Sequence, residues 1–277
     1  MAKSFIVKPI TRKQARIMCE DHPHAGTLPN SSKYYMRLDI DGRPAGLAVW
    51  GWGIVPKGTA GHLFNDDVLS VKDYLELCRF FVYDWCPKNT PTKFLAITHK
   101  IIKKYAPWVK ILYTYAAGFQ GLIGHIYKGA GYDYIGRQQI SSGFVWIPKV
   151  GLIHTIAQWH RYGRVGIKEM IKIYPTSKRW AGFNFRYIYW LCDKKEKQRL
   201  MQHAKFKLYK YPTEKDLEIW TEDEFGNKTP VTPEFAKTIP IVKLKSNRVR
   251  SKASVASSVQ PGEGGATPTL TLTEGVA

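Results

Sequence analysis

The sequence contains no long apolar segment and few cysteines. In its 277 residues no run reaches the length of about 18 apolar side chains that a membrane span needs, and residues 1–5 lack the apolar core of a signal peptide. We therefore predict neither a membrane span nor secretion through a leader. The cysteines form no CxxC pair, which is typical of reduced, buried thiols in a cytoplasmic protein; they are Cys19, Cys78, Cys86 and Cys192.

Several motifs that define enzyme classes are also missing. The chain has no P-loop, no GxGxxG after a strand, no HExxH and no GxSxG. No set of Cys and His residues has zinc spacing. His22 and His24 can present two imidazoles from a loop, but no third ligand lies near them in the sequence. We therefore predict no metal site.

Positive charge is what the sequence has in excess. Lys and Arg number 42 against 22 Asp and Glu, so the net charge is +20. Residues 149–213 alone hold 15 basic and three acidic side chains, which makes +12. Charge of this size in one segment, with Trp and Tyr interleaved, favours nucleic acid as the partner. The alternative is a basic surface that is only solvated.

Composition divides the chain into four parts. Residues 1–148 alternate strand-like and helix-like patterns, residues 149–213 form a basic extension, and residues 214–250 a small peripheral element. Residues 251–277 are rich in Ser, Gly and Thr and contain no aromatic residue. Such a tail cannot bury enough apolar surface to offset its ordering entropy, so we predict that it is disordered.

The order of elements in the first part predicts an α/β fold. A helix over 92–105 between strands at 75–83 and 110–116 implies a crossover, and hence a parallel pair of strands within a mixed sheet. In the basic extension we expect a helix near 151–160 and a strand over 185–191. Further strands are expected at 5–9, 34–40, 45–50, 132–135 and 144–147, and further helices at 12–20 and 122–128.

A glycine-rich segment, residues 116–127, is expected to follow a strand and to open a helix. Free backbone N–H groups at such a turn attract anions, and Gly121 and Gly124 would let a ligand approach the backbone closely. They are therefore candidate cofactor-binding residues. A tight turn between strand and helix explains the same glycines equally well. Tyr127, later in the segment, is a candidate general acid.

The apolar strand at 75–83 contains two charged residues, Glu76 and Arg79. A guanidinium in a central strand is unfavourable unless it is paired or points into a site. Strict alternation places Arg79 with Leu77 on one face and Glu76 with Cys78 on the other, so no ion pair on one face is expected. Arg79 belongs either to a functional site or to a buried ion pair.

Three sequence blocks together resemble the Mom proteins of phages, GNAT-like enzymes that modify adenine in DNA. The first is LELCRFFV at 75–82 with NTPTKFL at 89–95, which is similar to the family's E-L-x-R strand and the helix start after it. The second, at 113–136, looks like the family's glycine turn and Ile-Tyr helix. The third, FRYIYWL at 185–191, resembles its R-Y-x-Y element. The likeness extends over about residues 10–213 in the family's order.

The resemblance implies a GNAT-like central mixed sheet flanked by helices, with a basic α+β extension and the disordered tail. It also implies an activity: transfer of a small carbamoylmethyl-type group to adenine N6 of double-stranded DNA, in the host cytoplasm and as an anti-restriction device. Arg79 would orient an anionic donor or the base, and Thr92 stands where the family has a serine. For the family's N-terminal histidine we favour His24 over His22.

Two positions depart from the family pattern. Ala117 replaces an Asp, and Leu122 replaces a His, for which His125 one helical turn later is the candidate substitute. The basic segment would grip phosphates, and its aromatic residues would either stack on bases or lie in the core. The candidates are Arg161, Arg164, Lys178, Arg179, Arg186 and Tyr187, with Trp159, Trp180 and Trp190 as further aromatics.

The donor molecule stays unknown at this stage. The coenzyme A loop of ordinary GNAT enzymes, Q/R-x-x-G-x-G/A, is absent, and the segment PKNTPT at 87–92 in its place contains no glycine. Two alternatives remain open. One is an acyl-CoA-dependent N-acyltransferase that acts on another amine. The other, favoured by Ala117 and Leu122, is a non-catalytic DNA-binding protein on a degenerate GNAT scaffold.

Overall fold

The computed structural model describes residues 4–22, 28–65, 68–140, 143–155 and 167–242. The predicted tail lies outside them. The strands are β1 (Phe5–Pro9), β2 (Ser32–Ile40), β3 (Arg43–Gly51), β4 (Tyr74–Val82), β5 (Ile111–Ala116), β6 (Asp133–Gln139), β7 (Phe144–Ile147), β8 (Gly151–His154), β9 (Lys178–Trp190), β10 (Ile219–Glu222) and β11 (Lys228–Pro230). The helices are α1 (Arg12–Asp21), α2 (Pro56–Leu63), α3 (Thr90–Tyr105), α4 (His125–Gly129), α5 (Ile167–Ile173), α6 (Lys194–Gln202) and α7 (Pro233–Thr238).

All of these strands belong to one mixed sheet. Its order is β1-β2-β3-β4-β5-β9-β10-β11, with β6 and β7 also paired to β9, and β8 to β7. The pair β4–β5, joined through α3, is parallel, and the other strand pairs are antiparallel. The predicted α/β class and its parallel pair are confirmed. Because β9 comes from the basic extension and lies beside β5, the sheet continues across residue 148.

Local signals in the sequence account for several element boundaries. The Thr11 side chain accepts a hydrogen bond from the Gln14 amide, and the Gln14 side chain accepts one from the Thr11 amide, which forms a capping box at the start of α1. Asp193 caps α6 through the Glu196 amide. The β2–β3 hairpin turns at Asp41-Gly42, with φ of 50° and 78°.

The prediction of a helix near residues 151–160 is wrong for residues 151–154. Gly151–His154 is strand β8, which pairs with β7 from Ile147–Gly151 to Phe144–His154. The turn between the two strands has Lys149 in the left-handed region, with φ of 66°. The apolar run is too short to separate helix from strand by periodicity, and the hairpin partner decides in favour of the strand. Residues 156–160 lie outside the described part.

The sheet has an apolar layer on each face. Helices α3 and α4 cover one face, with Phe94, Leu95 and Tyr127 buried against it. Helices α1, α2 and α6 cover the other, where Ala15, Leu63 and Leu200 are buried. Among the helices described, none is long and apolar enough to cross a membrane.

Candidate active site

The parallel strands β4 and β5 separate in the middle of the sheet. They pair only from Tyr74–Ile111 to Glu76–Tyr113, although β4 continues to Val82 and β5 to Ala116. Beyond these pairs the side chains of both strands border an opening. This separation in the middle of the sheet marks the candidate site.

A β-bulge interrupts β4 at Cys78. Arg79 pairs with Val49 and Leu77 pairs with Trp50, so Cys78 has no partner residue on β3. An inserted residue of this kind re-aims the side chains that follow it. The in–out alternation of β4 therefore changes phase between Leu77 and Arg79.

The bulge places Glu76 and Arg79 on the same face of the sheet. Leu77 belongs to the apolar layer under α3, and the Phe80 ring lies 5.5 Å from that of Phe94 in α3. Glu76 and Arg79, their neighbours, point to the opposite face, where both are half-buried. The prediction that these charges lie on opposite faces is wrong, because strict alternation omits the bulge.

Glu76 carries a carboxyl group whose pKa is strongly raised. Burial raises its pKa from 4.5 to about 7, and the positive charge of Arg79 partly opposes that shift. The carboxylate lies against Gly53, where a Cβ atom would collide with Glu76 Oε2 and where φ is +72°. A carboxyl group with such a pKa can accept and release a proton near neutral pH.

Arg79 interacts with groups on both sides of the opening. Its Nη1 donates a hydrogen bond to the Cys78 carbonyl at 2.6 Å, which fixes the guanidinium. Burial lowers the pKa of His154 in β8, and the charge of Arg79 lowers it further. His154 is therefore neutral near pH 7 and lies close enough to the guanidinium to respond to it. The charge of Arg79 thus acts on the pKa of both Glu76 on β4 and His154 of the β7–β8 hairpin.

An open cleft of about 220 Å³ lies between α2, β5, β6 and β9. Burial raises the pKa of Tyr115. The charge of Glu76 raises this pKa further and the charge of Arg186 lowers it, so both charged groups lie near the phenol. The rings of Tyr113 and Tyr115 are 4.8 Å apart in an edge-to-face arrangement. The lining residues are Thr59, His62, Tyr113, Tyr115, Arg137, Gln138 and Arg186.

Arg186 is the part of this cleft best suited to an anion. Its Nη2 donates to the Ile135 carbonyl at 3.2 Å, while its Nε is buried without a hydrogen-bond partner among the described residues. Arg137, at the outer edge, pairs with Glu218 at 2.6 Å. A buried guanidinium N–H that lacks a partner favours a negatively charged or carbonyl-bearing ligand.

Replacement of Glu76 by Gln is expected to stabilise the protein at alkaline pH. The folded state holds a proton on Glu76 up to about pH 7, whereas in the unfolded chain the group ionises at its ordinary value of 4.5. The stability that Glu76 contributes is therefore complete below pH 4.5 and is lost as pH rises through 7. Gln does not ionise, so the variant gains up to about 3 kcal/mol at pH 8.

Urea unfolding at about pH 5 and about pH 8 measures this difference. Glu20→Gln on the exposed side of α1 is the matched control and should leave the pH dependence as it is in the wild type. Equal stability of wild type and Glu76→Gln at both pH values would show that folding does not shift the pKa of the Glu76 carboxyl group.

Tyr127 does not reach this cleft. It is buried on the α3 side of the sheet, and its hydroxyl donates to the Tyr115 carbonyl at 3.2 Å. Burial also raises its pKa. The structure therefore supports a packing role for Tyr127 rather than a role as general acid.

In the glycine turn, other parts of the protein fill the space beside Gly121 and bond the backbone amides. Gly121 has φ of 77° and packs against Pro233 and Lys237 of α7. The amides of Gly121 and Leu122 donate to the carbonyls of Gly118 and Ala117. These amides are used within the turn, so the geometry favours the tight-turn interpretation of Gly121 over a ligand site.

Gly124 has the same structural explanation. Its φ is 77°, and a Cβ atom there would lie 2.9 Å from the rings of Tyr127 and Tyr187. Thr92 packs against Gly129, where α3 meets α4, on the face opposite Glu76.

The predicted histidines are separated. His125 is exposed at the start of α4. His24 lies outside the described residues. The His22 ring stacks on Phe81 at 4.0 Å, on the α1 side of the sheet, which is also the face of Arg79. His22 thus lies on the same face of the sheet as Glu76 and Arg79.

The predicted nucleic-acid residues divide into four groups. Lys178 and Arg179 are half-buried at the start of β9, where Arg179 pairs with Glu222 at 3.6 Å. Arg186 lies in the cleft. Tyr187 is fully buried and donates its hydroxyl to the Ile123 carbonyl, so it presents no surface to DNA. Arg161, Arg164 and Trp159 lie outside the described residues.

Two further aromatics have structural partners. Trp180 is fully buried and donates Nε1 to the Phe119 carbonyl at 2.9 Å. The half-buried Trp190 donates Nε1 to Asp133 at 2.8 Å. Both positions fit the core alternative given for these residues.

The segment Pro87–Thr92 does not fit a coenzyme A pyrophosphate. Pro87 and Pro91 have no N–H group, and the Thr90 amide donates to the Pro87 carbonyl at 3.2 Å. Asn89, with φ of 67°, takes the left-handed position that a glycine usually occupies. A pyrophosphate cradle needs several adjacent free amides, which this segment does not supply.

No three His, Cys, Asp or Glu side chains are grouped to hold a metal ion in the part of the chain that the structure describes.

Sequence reasoning does not single out Tyr113, Tyr115 or His154. The first two are same-face residues of β5 by simple alternation, and their polar hydroxyls in a central strand are a signal that could have found them. His154 lies in the segment that the sequence assigns to a helix, so its position beside Arg79 follows only from the β7–β8 hairpin.

Solved structures with some likeness to this chain are N-acetyltransferases. Aminoglycoside acetyltransferase AAC(6')-Ib, in complex with coenzyme A and kanamycin, is 12% identical with a TM-score of 0.39, covering 72% of this chain and 99% of that one. The spermidine/spermine N-acetyltransferase SpeG of Vibrio cholerae is 9% identical with a TM-score of 0.39, covering 71% and 96%.

Sequence comparison gives a sharper result. The methylcarbamoylase Mom of Escherichia phage Mu is 24% identical over 140 residues, which are 50% of this chain and 56% of that protein. The chain thus spans about half the length of the curated relative it matches. Residues 4–213 match the Mom protein family, and the resemblance noted in the sequence is confirmed: the chain belongs to that family.

Proposed function

We propose that this chain is a DNA-modifying transferase that adds a small carbamoylmethyl-type group to N6 of adenine. The observation that carries the proposal is the pair Glu76 and Arg79, half-buried on one face at the opening between β4 and β5 of a Mom family chain. The relative's activity as a methylcarbamoylase supports the type of group transferred.

The reaction requires a base. The N6 amine forms a bond to carbon of the donor, the bond from that carbon to its leaving group breaks with the electron pair, and one N6 proton has to leave. Glu76, with a pKa of about 7, accepts that proton as a carboxylate.

Arg79 orients the donor. Its guanidinium is fixed by the Cys78 carbonyl and interacts with both Glu76 and His154. A planar guanidinium binds a carboxylate, phosphate or amide oxygen with defined geometry, and it stabilises negative charge that develops on the donor. Neutral His154 can donate a hydrogen bond to the same group.

The cleft beyond Glu76 receives the target nucleotide. Adenine N6 is inaccessible inside a stacked duplex, so the base has to leave the helix before it reacts. The half-buried Tyr115 offers an aromatic surface, and the unpartnered Nε of Arg186 offers a donor to the base or its phosphate. The net charge of +20 supports DNA as the macromolecular partner, and such a protein acts in the host cytoplasm.

Nucleoside mass spectrometry of DNA from expressing cells tests the proposal. The wild type is compared with a double variant, Glu76→Gln with Arg79→Ala. A deoxyadenosine derivative heavier by a carbamoylmethyl group, present with the wild type and absent with the variant, is the expected result. Unmodified DNA from cells with soluble wild-type protein would contradict it.

The alternatives give different results in companion measurements. Salt-dependent binding of purified protein to DNA without any modified base would identify a degenerate binding protein. Acetyl-CoA that stays on the purified protein, with an acylated product other than DNA, would identify a conventional acyltransferase.

A further inference from the structure

The loop between β3 and α2 exposes two adjacent apolar side chains beside the site. Ile54 is 77% exposed and Val55 is 61% exposed, in a protein where most large aliphatic residues are buried. We propose that Ile54 and Val55 form a wedge that enters the base stack of duplex DNA next to the adenine to be modified. This inference rests on the proposed function and adds the way in which the duplex is opened.

The wedge lies directly next to the site. Gly53 precedes Ile54, and its backbone touches the Glu76 carboxylate so closely that no Cβ fits between them. On the other side, Thr59 and His62 of α2 line the cleft. The two exposed side chains therefore directly follow the glycine that contacts Glu76 and precede the helix that lines the cleft.

The loop is held as a fixed protrusion. The buried Tyr74 hydroxyl lies 2.8 Å from the Trp52 carbonyl oxygen and 3.0 Å from that of Pro56, and its single hydrogen, shared between these two acceptors, joins the two ends of the loop. The Trp52 amide donates to the Ser31 carbonyl at 3.2 Å, and the Thr59 amide to the Val55 carbonyl at 2.9 Å. Because both ends of the loop are anchored, Ile54 at its tip is held in place, as a wedge requires.

Three lysines lie on or beside the elements that flank the loop. The Lys33 ammonium lies 5.7 Å from the centre of the Trp52 ring, and Lys57 is exposed in the first turn of α2. Lys205 donates to the Gly61 carbonyl of the same helix at 2.7 Å. Phosphates on either side of an opened base step would meet these ammonium groups, so the charge fits duplex DNA as the occupant.

Another exposed apolar tip provides a contrast. Phe225 is 81% exposed at the β10–β11 turn, but two acidic residues, Asp223 and Glu224, directly precede it. Two carboxylates beside it repel a phosphate backbone. Exposure alone therefore does not define a wedge; the Ile54 tip combines exposure with positive charge and contact with the site.

The physical role of a wedge follows from base flipping. When a base leaves the duplex, its neighbours lose stacking, which costs a few kcal/mol per step. An apolar side chain that fills the gap offsets part of this cost and keeps the base from returning. Single-stranded DNA has no stack to open and does not need the wedge.

The test compares the double variant Ile54→Ser, Val55→Ser with the matched control Phe225→Ser. Binding is followed by the fluorescence of 2-aminopurine, which brightens when it leaves the stack, in duplexes that together carry every combination of flanking bases. Because 2-aminopurine lacks the N6 amine, this signal does not depend on the reaction. Modification of duplex and of single-stranded DNA is measured in parallel.

We expect the wild type and Phe225→Ser to raise the fluorescence, and the double variant to lose that rise. The ratio of duplex to single-strand modification should fall about tenfold in the double variant, as the loss of one filled base step predicts. Wild-type protein that brightens 2-aminopurine through Ile54 and Val55 but modifies neither substrate would support the wedge and contradict the proposed function.

Two results would overturn the wedge. One is equal fluorescence for wild type and double variant. The other is an equal loss of modification on duplex and single-stranded DNA, which would mean that the loop only positions Glu76 through Gly53. Thermal unfolding of both variants, expected to match the wild type because these side chains are exposed, shows that a loss does not come from misfolding.

Discussion

The Glu76→Gln variant is expected to modify DNA about a hundredfold more slowly than the wild type at about pH 8, within the range that removal of a general base produces. Gln keeps the shape of the side chain and its contact with Gly53 but cannot accept the N6 proton. The wild-type rate should rise with pH and level off above a midpoint of about 7, because only the ionised carboxylate acts as a base.

Initial rates of nucleoside formation between about pH 5.5 and 9 measure both effects. A plot of the variant's residual rate against pH should show no midpoint near pH 7. The control Glu20→Gln should have the same dependence of rate on pH as the wild type. A variant that is as active as the wild type would remove Glu76 from the proton transfer. Together with the higher stability expected for the same variant at pH 8, a lower rate would mean that the site keeps a buried charge at a cost to folding.

The Arg79→Ala variant is expected to lose activity by a factor of about 100 to 1,000, the scale for loss of one group that stabilises developing charge. Its effect on the remaining groups has a defined sign. Arg79 lowers the pKa of both Glu76 and His154, so without it both pKa values rise. The residual activity should therefore appear at higher pH than in the wild type.

Arg79→Lys separates charge from shape. A lysine keeps the positive charge, so the pH midpoint should stay near that of the wild type, while the bidentate geometry is lost and the rate stays low. The readouts are the pH profile and the rate on one DNA substrate. A wild-type rate in Arg79→Ala, or a midpoint that moves to lower pH, would contradict the role assigned to Arg79.

Much of the fold follows from local signals in the sequence. The capping residue Thr11, the Asp41-Gly42 turn and the apolar face of α3 gave the right elements within a few residues. The parallel pair β4–β5 followed from the helix between two strands. These features depend on neighbours along the chain, which a sequence displays directly.

The site depends on features that a sequence does not display. The bulge at Cys78 is set by pairing with β3, and no residue in LELCRFFV predicts it. The shifted pKa of Glu76 comes from burial by distant parts of the chain. The position of His154 depends on the hairpin β7–β8, which the sequence had as a helix. Sequence reasoning found Arg79 because an arginine in an apolar strand is conspicuous by itself.

The part of the chain that packs as a unit is longer than the part shared with the family. The family match ends at residue 213, yet β10 pairs with β9 from Ile219–Gly182 to Glu222–Arg179. Without β10, this stretch of β9 would present unpaired amides and carbonyls at a sheet edge, the usual starting point for strand-to-strand aggregation. The segment beyond the family match thus covers this edge of β9 with a paired strand.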